Sequence, residues 1–218
     1  MKYENIIFVA GAARSFTSLT AGILYYAGAW GQKDNFEGRD EPVFENVNLL
    51  DSFDQAAKGF KAVEFVSTPE VLSGCLRLIA QSVFDKHSAP DDRIIFLKHP
   101  GLIVDNSGVA WQHWHNAFPE AKWIVVRRDT REIEQSHFKL YGKIKFHNRE
   151  VLTQIPIMLS HFENAGTKHF EIWPGQELQD PKRTRFKEMV SWAGLKWNKK
   201  IEEFITPDKH HCKITPAP

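Results

Sequence analysis

An α/β fold, built as a three-layer arrangement in which an open, mostly parallel sheet carries helices on both faces, is the class this sequence predicts. Three observations predict it. Five short apolar runs, Ile6–Ala10, Phe60–Val66, Arg93–Lys98, Lys122–Val126 and His169–Trp173, alternate with longer segments that accommodate helices. The runs are almost continuously apolar, Ile94-Ile-Phe-Leu97 and Trp123-Ile-Val-Val126 above all, which suits parallel strands buried on both faces rather than half-solvated hairpins. Finally, a glycine-led turn follows the first run directly and opens an apolar-periodic segment from Leu19 to Ala29, giving the strand, turn and helix order of a phosphate-binding loop.

That turn consists of Gly11, Ala12, Ala13, Arg14, Ser15, Phe16, Thr17 and Ser18. The first N–H groups of a helix lack intrahelical partners, so they can converge on a phosphate with the helix dipole assisting. Arg14 adds a charged fork, and Ser15, Thr17 and Ser18 add hydroxyls. A P-loop-containing nucleotide-binding fold is therefore expected. The loop lacks the Gly-Lys pair of a nucleoside triphosphatase, which weakens an ATP or GTP hydrolysis reading and points to a different phosphorylated donor.

Further along, Thr68-Pro69 places a capping residue ahead of one tolerated in a first helical turn. Asp129, with Glu132 three residues later, reads as the cap of the helix behind the fourth strand. Arg127 and Arg128 then stand at a strand's carboxyl end, where open α/β sheets bind ligands. Asp180-Pro181 repeats the capping device ahead of Phe186, Met189, Val190 and Ala193, and Gly194 reads as that helix's stop. Residues 30–59 break the periodicity with Gly31, Gly38, Pro42 and Gly59 and add acid at Asp34, Glu37, Asp40, Glu41 and Glu45. This irregular excursion is expected to form part of an acceptor site. The tail 207–218 is polar, contains proline and reads as disordered.

The chain has 218 residues, 42% hydrophobic and 25% charged, with a formal charge of +1. Residues 1–218 are expected to form one domain, and the charge gives no whole-molecule argument for nucleic acid or an acidic membrane. Local charge differs: residues 120–149 hold eight Lys/Arg against four Asp/Glu, consistent with a phosphate-facing surface. Cys75 reads as a core thiol and Cys212 as an exposed one. Two cysteines make neither a disulfide framework nor a zinc cluster, and His113/His115 and His210/His211 lack ligand spacing. With no apparent signal peptide and no apolar stretch of about 20 residues, a cytoplasmic protein without a membrane span is expected.

At this level the chain resembles the sulfotransferase superfamily. The loop from Gly11 to Ser18 is similar to that family's 5'-phosphosulfate loop. Phe118-Pro-Glu-Ala-Lys-Trp-Ile-Val-Val-Arg-Arg-Asp-Thr-Arg-Glu-Ile-Glu-Gln-Ser136 is similar to its 3'-phosphate segment, with an arginine after the strand and a serine eight positions later, here Arg128 and Ser136. Leu97-Lys-His-Pro100 is a weaker likeness to the strand-end segment that bears a lysine and, in some branches, a base histidine. Phe186-Lys-Glu-Met-Val-Ser-Trp-Ala-Gly-Leu195 has a family look as well. The resemblance implies 3'-phosphoadenosine-5'-phosphosulfate (PAPS) as donor, adenosine 3',5'-bisphosphate as product and no metal. Phe16 stands where the family often has a glycine, and no late Arg-Lys-Gly segment is evident.

Arg128, leaving a strand, and Ser136, about two turns into the next helix, can grip one phosphate from adjacent elements whatever the kinship. Arg14 and the loop N–H groups would stabilise the leaving phosphate, with Lys98 near the bridging oxygen. For the base, His99 has a suitable titration range and Glu41 in the excursion is its rival, with Glu37, Glu45 and Glu64 behind it. Phe36, Phe44, Trp111 and Trp114 either line an acceptor cleft or bury the loop against the sheet. A small metabolite, a glycan and a tyrosine hydroxyl all remain as acceptors. A small-molecule kinase using ATP and a non-catalytic nucleotide-binding protein are the alternatives.

Overall fold

Successive side chains of a strand leave opposite faces of a sheet, and in β1 (Ile6–Gly11) both sets are apolar. Ile6, Phe8 and Ala10 enter one core, and Ile7 and Val9 enter the other. β5 (Lys122–Val126) repeats the division, with Trp123 and Val125 on the first side and Ile124 and Val126 on the second. Such strands gain stability only when helices cover both faces. The computed structural model describes residues 2–31, 44, 69–86, 89–105, 108–142 and 146–205.

Within these residues, β1 leads to α1 (Thr17–Tyr26), α2 (Pro69–Lys86), β2 (Ile95–Lys98) and a short antiparallel ribbon of β3 (Val104–Asp105) and β4 (Gly108–Val109). Next come α3 (Trp111–Ala117), β5, α4 (Thr130–Tyr141), α5 (Phe146–Ala165) and β6 (His169–Ile172). The described chain ends with α6 (Pro174–Glu177), α7 (Thr184–Trp192) and α8 (Lys199–Phe204). The four-stranded sheet has the order β2-β1-β5-β6, and every pair is parallel. Leu76, Trp114, Ile133 and Phe162 bring α2, α3, α4 and α5 to one core, whereas Leu19, Phe186 and Ile201 bring α1, α7 and α8 to the other.

The expected α/β class with a parallel sheet is therefore what the chain adopts, and four of the five anticipated runs are its strands. The fifth, Phe60–Val66, lies outside the described residues. Trp30, the first residue of the anticipated excursion, extends the sheet instead: its N–H donates to the Ile94 carbonyl at 2.8 Å and its carbonyl accepts from Phe96 N at 3.0 Å. Asp129 caps α4 as expected, accepting from Arg131 N at 2.9 Å and Glu132 N at 3.3 Å. Asp180 acts one turn earlier than expected. Its carboxylate accepts from Lys182 N at 2.9 Å and Thr184 N at 2.8 Å, so Pro181 lies in a turn and α7 starts at Thr184.

Gly194 stops α7 as anticipated, at φ 84°, while Leu195 N donates back to the Val190 carbonyl at 3.0 Å. Cys75, expected as a core thiol, is only half-buried on α2. The aromatic alternatives are resolved for three residues. Phe44, Trp111 and Trp114 are 0%, 1% and 5% exposed, so they pack the cores and line no cleft. No described helix is long and apolar enough to cross a membrane.

His115 marks the amino-end rim of the sheet. Its Nε2 lies 2.7 Å from Thr167 Oγ1, and the His161 ring centroid is 5.1 Å away. Burial, and secondarily the neighbouring His161, push the His115 pKa below its ordinary 6.5. The unfolded chain thus binds more protons here than the native state does. This contribution to stability is complete above pH 6.5 and is lost as pH falls from there towards the depressed folded value. Urea unfolding at a series of pH values should show stability declining through that window, with a shallower decline in His115→Gln.

Candidate functional site

The pairing register fixes which residues reach the carboxyl rim together. Gly11 pairs with Val126, so the loop after β1 and the Arg127-Arg128 pair after β5 leave the sheet at one level. Lys98, the last residue of β2, sits opposite Val9. The next described strand after β1 lies on one side of it and β6 lies beyond β5 on the other, so the crevice between β1 and β5 is a topological switch point.

Gly11 is required by close approach. A Cβ there would lie 2.8 Å from both Ser15 Oγ and the Val126 carbonyl oxygen. The turn then closes on itself, with Ser15 N donating to the Ala12 carbonyl at 3.1 Å and Ser15 Oγ to the same oxygen at 2.6 Å. Arg14 and Phe16 hold φ of 72° and 71°, left-handed conformations that cost a non-glycine residue about 1–2 kcal/mol each. Phe16 is the N-cap of α1 and its side chain caps nothing, so the first-turn N–H groups of Thr17, Ser18 and Leu19 receive no side-chain cap from it. Strain concentrated in a loop that leads into an uncapped helix terminus is characteristic of a ligand site.

Around this helix terminus stand three cations. Lys98 is 2% exposed, and its Nζ donates to Ser18 Oγ at 3.1 Å. Arg14 Nε donates to Ser136 Oγ at 3.1 Å across 122 residues of sequence. Arg128 Nη1 donates to the Arg14 carbonyl at 2.8 Å, its Nε donates to Glu132 at 2.9 Å, and its guanidinium lies 4.4 Å from the Phe16 ring centroid. The structure thus joins the loop to the Arg128/Ser136 pair through Arg14, a contact that spacing alone did not reveal. Arg127 turns the other way, pairing with Glu171 at 2.9 Å beneath Trp173.

His99 follows Lys98, and its Nδ1 accepts from Gly101 N at 2.9 Å, capping a 3-10 turn over Pro100–Leu102. A neutral ring with Nδ1 as acceptor carries its proton on Nε2. Taking a proton therefore requires release of Gly101 N, at Nδ1 directly or at Nε2 after a change of tautomer. Glu41, Glu37, Glu45, Glu64 and Phe36 lie outside the described residues, as does the 207–218 tail. Among the described residues no group of three or more His, Cys, Asp or Glu side chains could hold a metal ion.

A crevice with an uncapped helix terminus, a buried lysine and two arginines can bind a phosphorylated ligand at more than one point and stabilise charge on a leaving phosphate. The fold is that of sulfotransferase domains, to which the chain is structurally similar over nearly its whole length. The sulfotransferase domain of the olefin synthase from Synechococcus PCC 7002 superposes with a TM-score of 0.57 at 14% identity, covering 97% of this chain and 80% of that one. Sulfotransferase STF9 from Mycobacterium avium gives 0.50 at 14% identity, covering 94% and 67%. No family model and no curated protein matches the sequence.

Proposed function

We propose that the chain binds PAPS and transfers its sulfuryl group to a hydroxyl acceptor. The observation that carries this reading is the convergence of Arg14, Lys98 and the Arg128/Ser136 pair on the N-terminus of α1 at one rim of the sheet. The acceptor oxygen attacks sulfur in line; the new O–S bond forms as the S–O bond to the 5'-phosphate breaks. The acceptor proton passes to a base, and adenosine 3',5'-bisphosphate departs with the electron pair. Negative charge grows on the leaving phosphate oxygen, where the α1 N–H groups, Arg14 and Lys98 oppose it. The sulfuryl group carries less charge than a phosphoryl group, so these cations suffice without a metal clamp.

His99, one residue beyond Lys98, is our candidate base, with Glu41 as its rival. The acceptor class is a small metabolite, a glycan or a tyrosine side chain. Purified protein supplied with sulfur-labelled donor and pooled acceptors should release labelled product. Transfer from ATP and magnesium instead would favour a kinase, and tight bisphosphate binding with no transfer would favour a binding protein. The donor assignment has its own test in calorimetry. Arg128→Ala should weaken adenosine 3',5'-bisphosphate roughly 10- to 100-fold, the range of a charged hydrogen bond, and leave adenosine 5'-phosphate nearly unchanged. Equal weakening of both ligands would remove Arg128 from the 3'-phosphate site.

A further inference from the structure

Arg128 is gripped on three sides. Its Nε meets the Glu132 carboxylate at 2.9 Å, its Nη1 meets the Arg14 carbonyl at 2.8 Å, and its face rests on the Phe16 ring at 4.4 Å. Nη2 takes no part in these contacts. Because the guanidinium is rigid and planar, fixing two nitrogens and one face fixes the direction in which Nη2 and the second Nη1 hydrogen point. We propose that Phe16 and Glu132 are positioning residues that aim Arg128 at the donor's 3'-phosphate and so determine the preference for a bisphosphorylated nucleotide; this rests on the sulfotransferase reading above.

Two further observations support the assignment. Phe16 adopts a left-handed conformation at φ 71°, which glycine would hold without strain, yet the position carries a ring, and the ring lies under Arg128. Glu132 and Ser136 are four residues apart on α4, so one face of this helix carries both the carboxylate that orients Arg128 and the hydroxyl that meets Arg14. The Glu132 side chain is 50% exposed, so its loss leaves the cores intact. An exposed ion pair adds little to stability, which makes orientation the larger consequence of this pairing.

Calorimetry with adenosine 5'-phosphate and adenosine 3',5'-bisphosphate gives the affinity ratio that the clamp is inferred to set. Glu132→Ala and Phe16→Leu should each lower that ratio about tenfold, one charge-assisted or cation–π contact's worth, with melting temperatures recorded alongside. Glu132→Gln should restore most of it, because its amide oxygen still accepts from Nε, and Phe16→Tyr should do so because it keeps a ring face. If the wild-type protein prefers the bisphosphate and neither Glu132→Ala nor Phe16→Leu changes the ratio, the clamp inference fails alone. Glutamine behaving like alanine would likewise overturn it, since charge rather than orientation would then matter. A wild-type protein with no preference would overturn the donor reading and the clamp together.

Discussion

Lys98→Met is expected to slow sulfuryl transfer about 10²- to 10³-fold, the loss that follows removal of one preorganised donor to a developing oxyanion. The fold should survive it. Lys98 is 2% exposed at the end of β2, and methionine has a similar length and no charge to desolvate. Burying an ammonium is costly even when it is partnered, so the melting temperature should stay level or rise while turnover falls. A melting temperature that does not fall beside a turnover that does separates chemistry from structure. Thermal unfolding and single-turnover transfer with saturating donor would show it. A variant that transfers at the wild-type rate would remove Lys98 from the leaving-group site, and one that melts much earlier would assign it to the fold.

The sheet was legible because its strands are buried on both faces, which leaves apolar runs such as Trp123 to Val126 with little ambiguity of period. The tight turn after β1 was legible for a related reason. A glycine between an apolar strand and an apolar helix answers a close-approach requirement, and the 2.8 Å contacts at Gly11 state that requirement in distances. Long-range contacts were less accessible. The bond from Arg14 to Ser136 depends on β1 lying beside β5, with Gly11 level with Val126, and no local spacing encodes that adjacency.

Some side-chain roles were hidden by a competing local role. Glu132 follows Asp129 by three residues and reads as part of a helix cap, but its carboxylate turns back to Arg128. The signal was the four-residue separation of Arg128 and Glu132 across the start of α4. Trp111 and Trp114 illustrate the reverse case. Aromatic side chains suit both a binding cleft and a core, and only their burial against Phe8, Phe118 and Phe162 decides between these uses. Phe16, a departure from the expected glycine, was visible in sequence as an oddity. Its contact with the Arg128 guanidinium emerges only in the structure.

Proton removal offers the sharpest separation of a structural from a chemical role, because His99 has a measurable structural one. Its Nδ1 caps the Pro100–Leu102 turn through Gly101 N, so His99→Ala removes both that cap and the proposed base. His99→Asn divides them: the amide oxygen of asparagine can stand where Nδ1 stands and accept from Gly101 N, but an amide does not titrate near neutrality. If His99 is the base, both variants should lose about 10²- to 10⁴-fold in turnover at saturating donor and acceptor, with bisphosphate affinity unchanged. Asparagine should recover the melting temperature without the rate. If asparagine instead restores turnover, His99 acts through the turn, and proton removal passes to another group. Glu41→Gln then becomes decisive, since a loss of the same size with donor binding intact would place the base in the acidic segment that carries Glu41. The bond to Gly101 also sets a condition on that role: Gly101 N must be released before the ring takes a proton, at Nδ1 directly or at Nε2 after a change of tautomer.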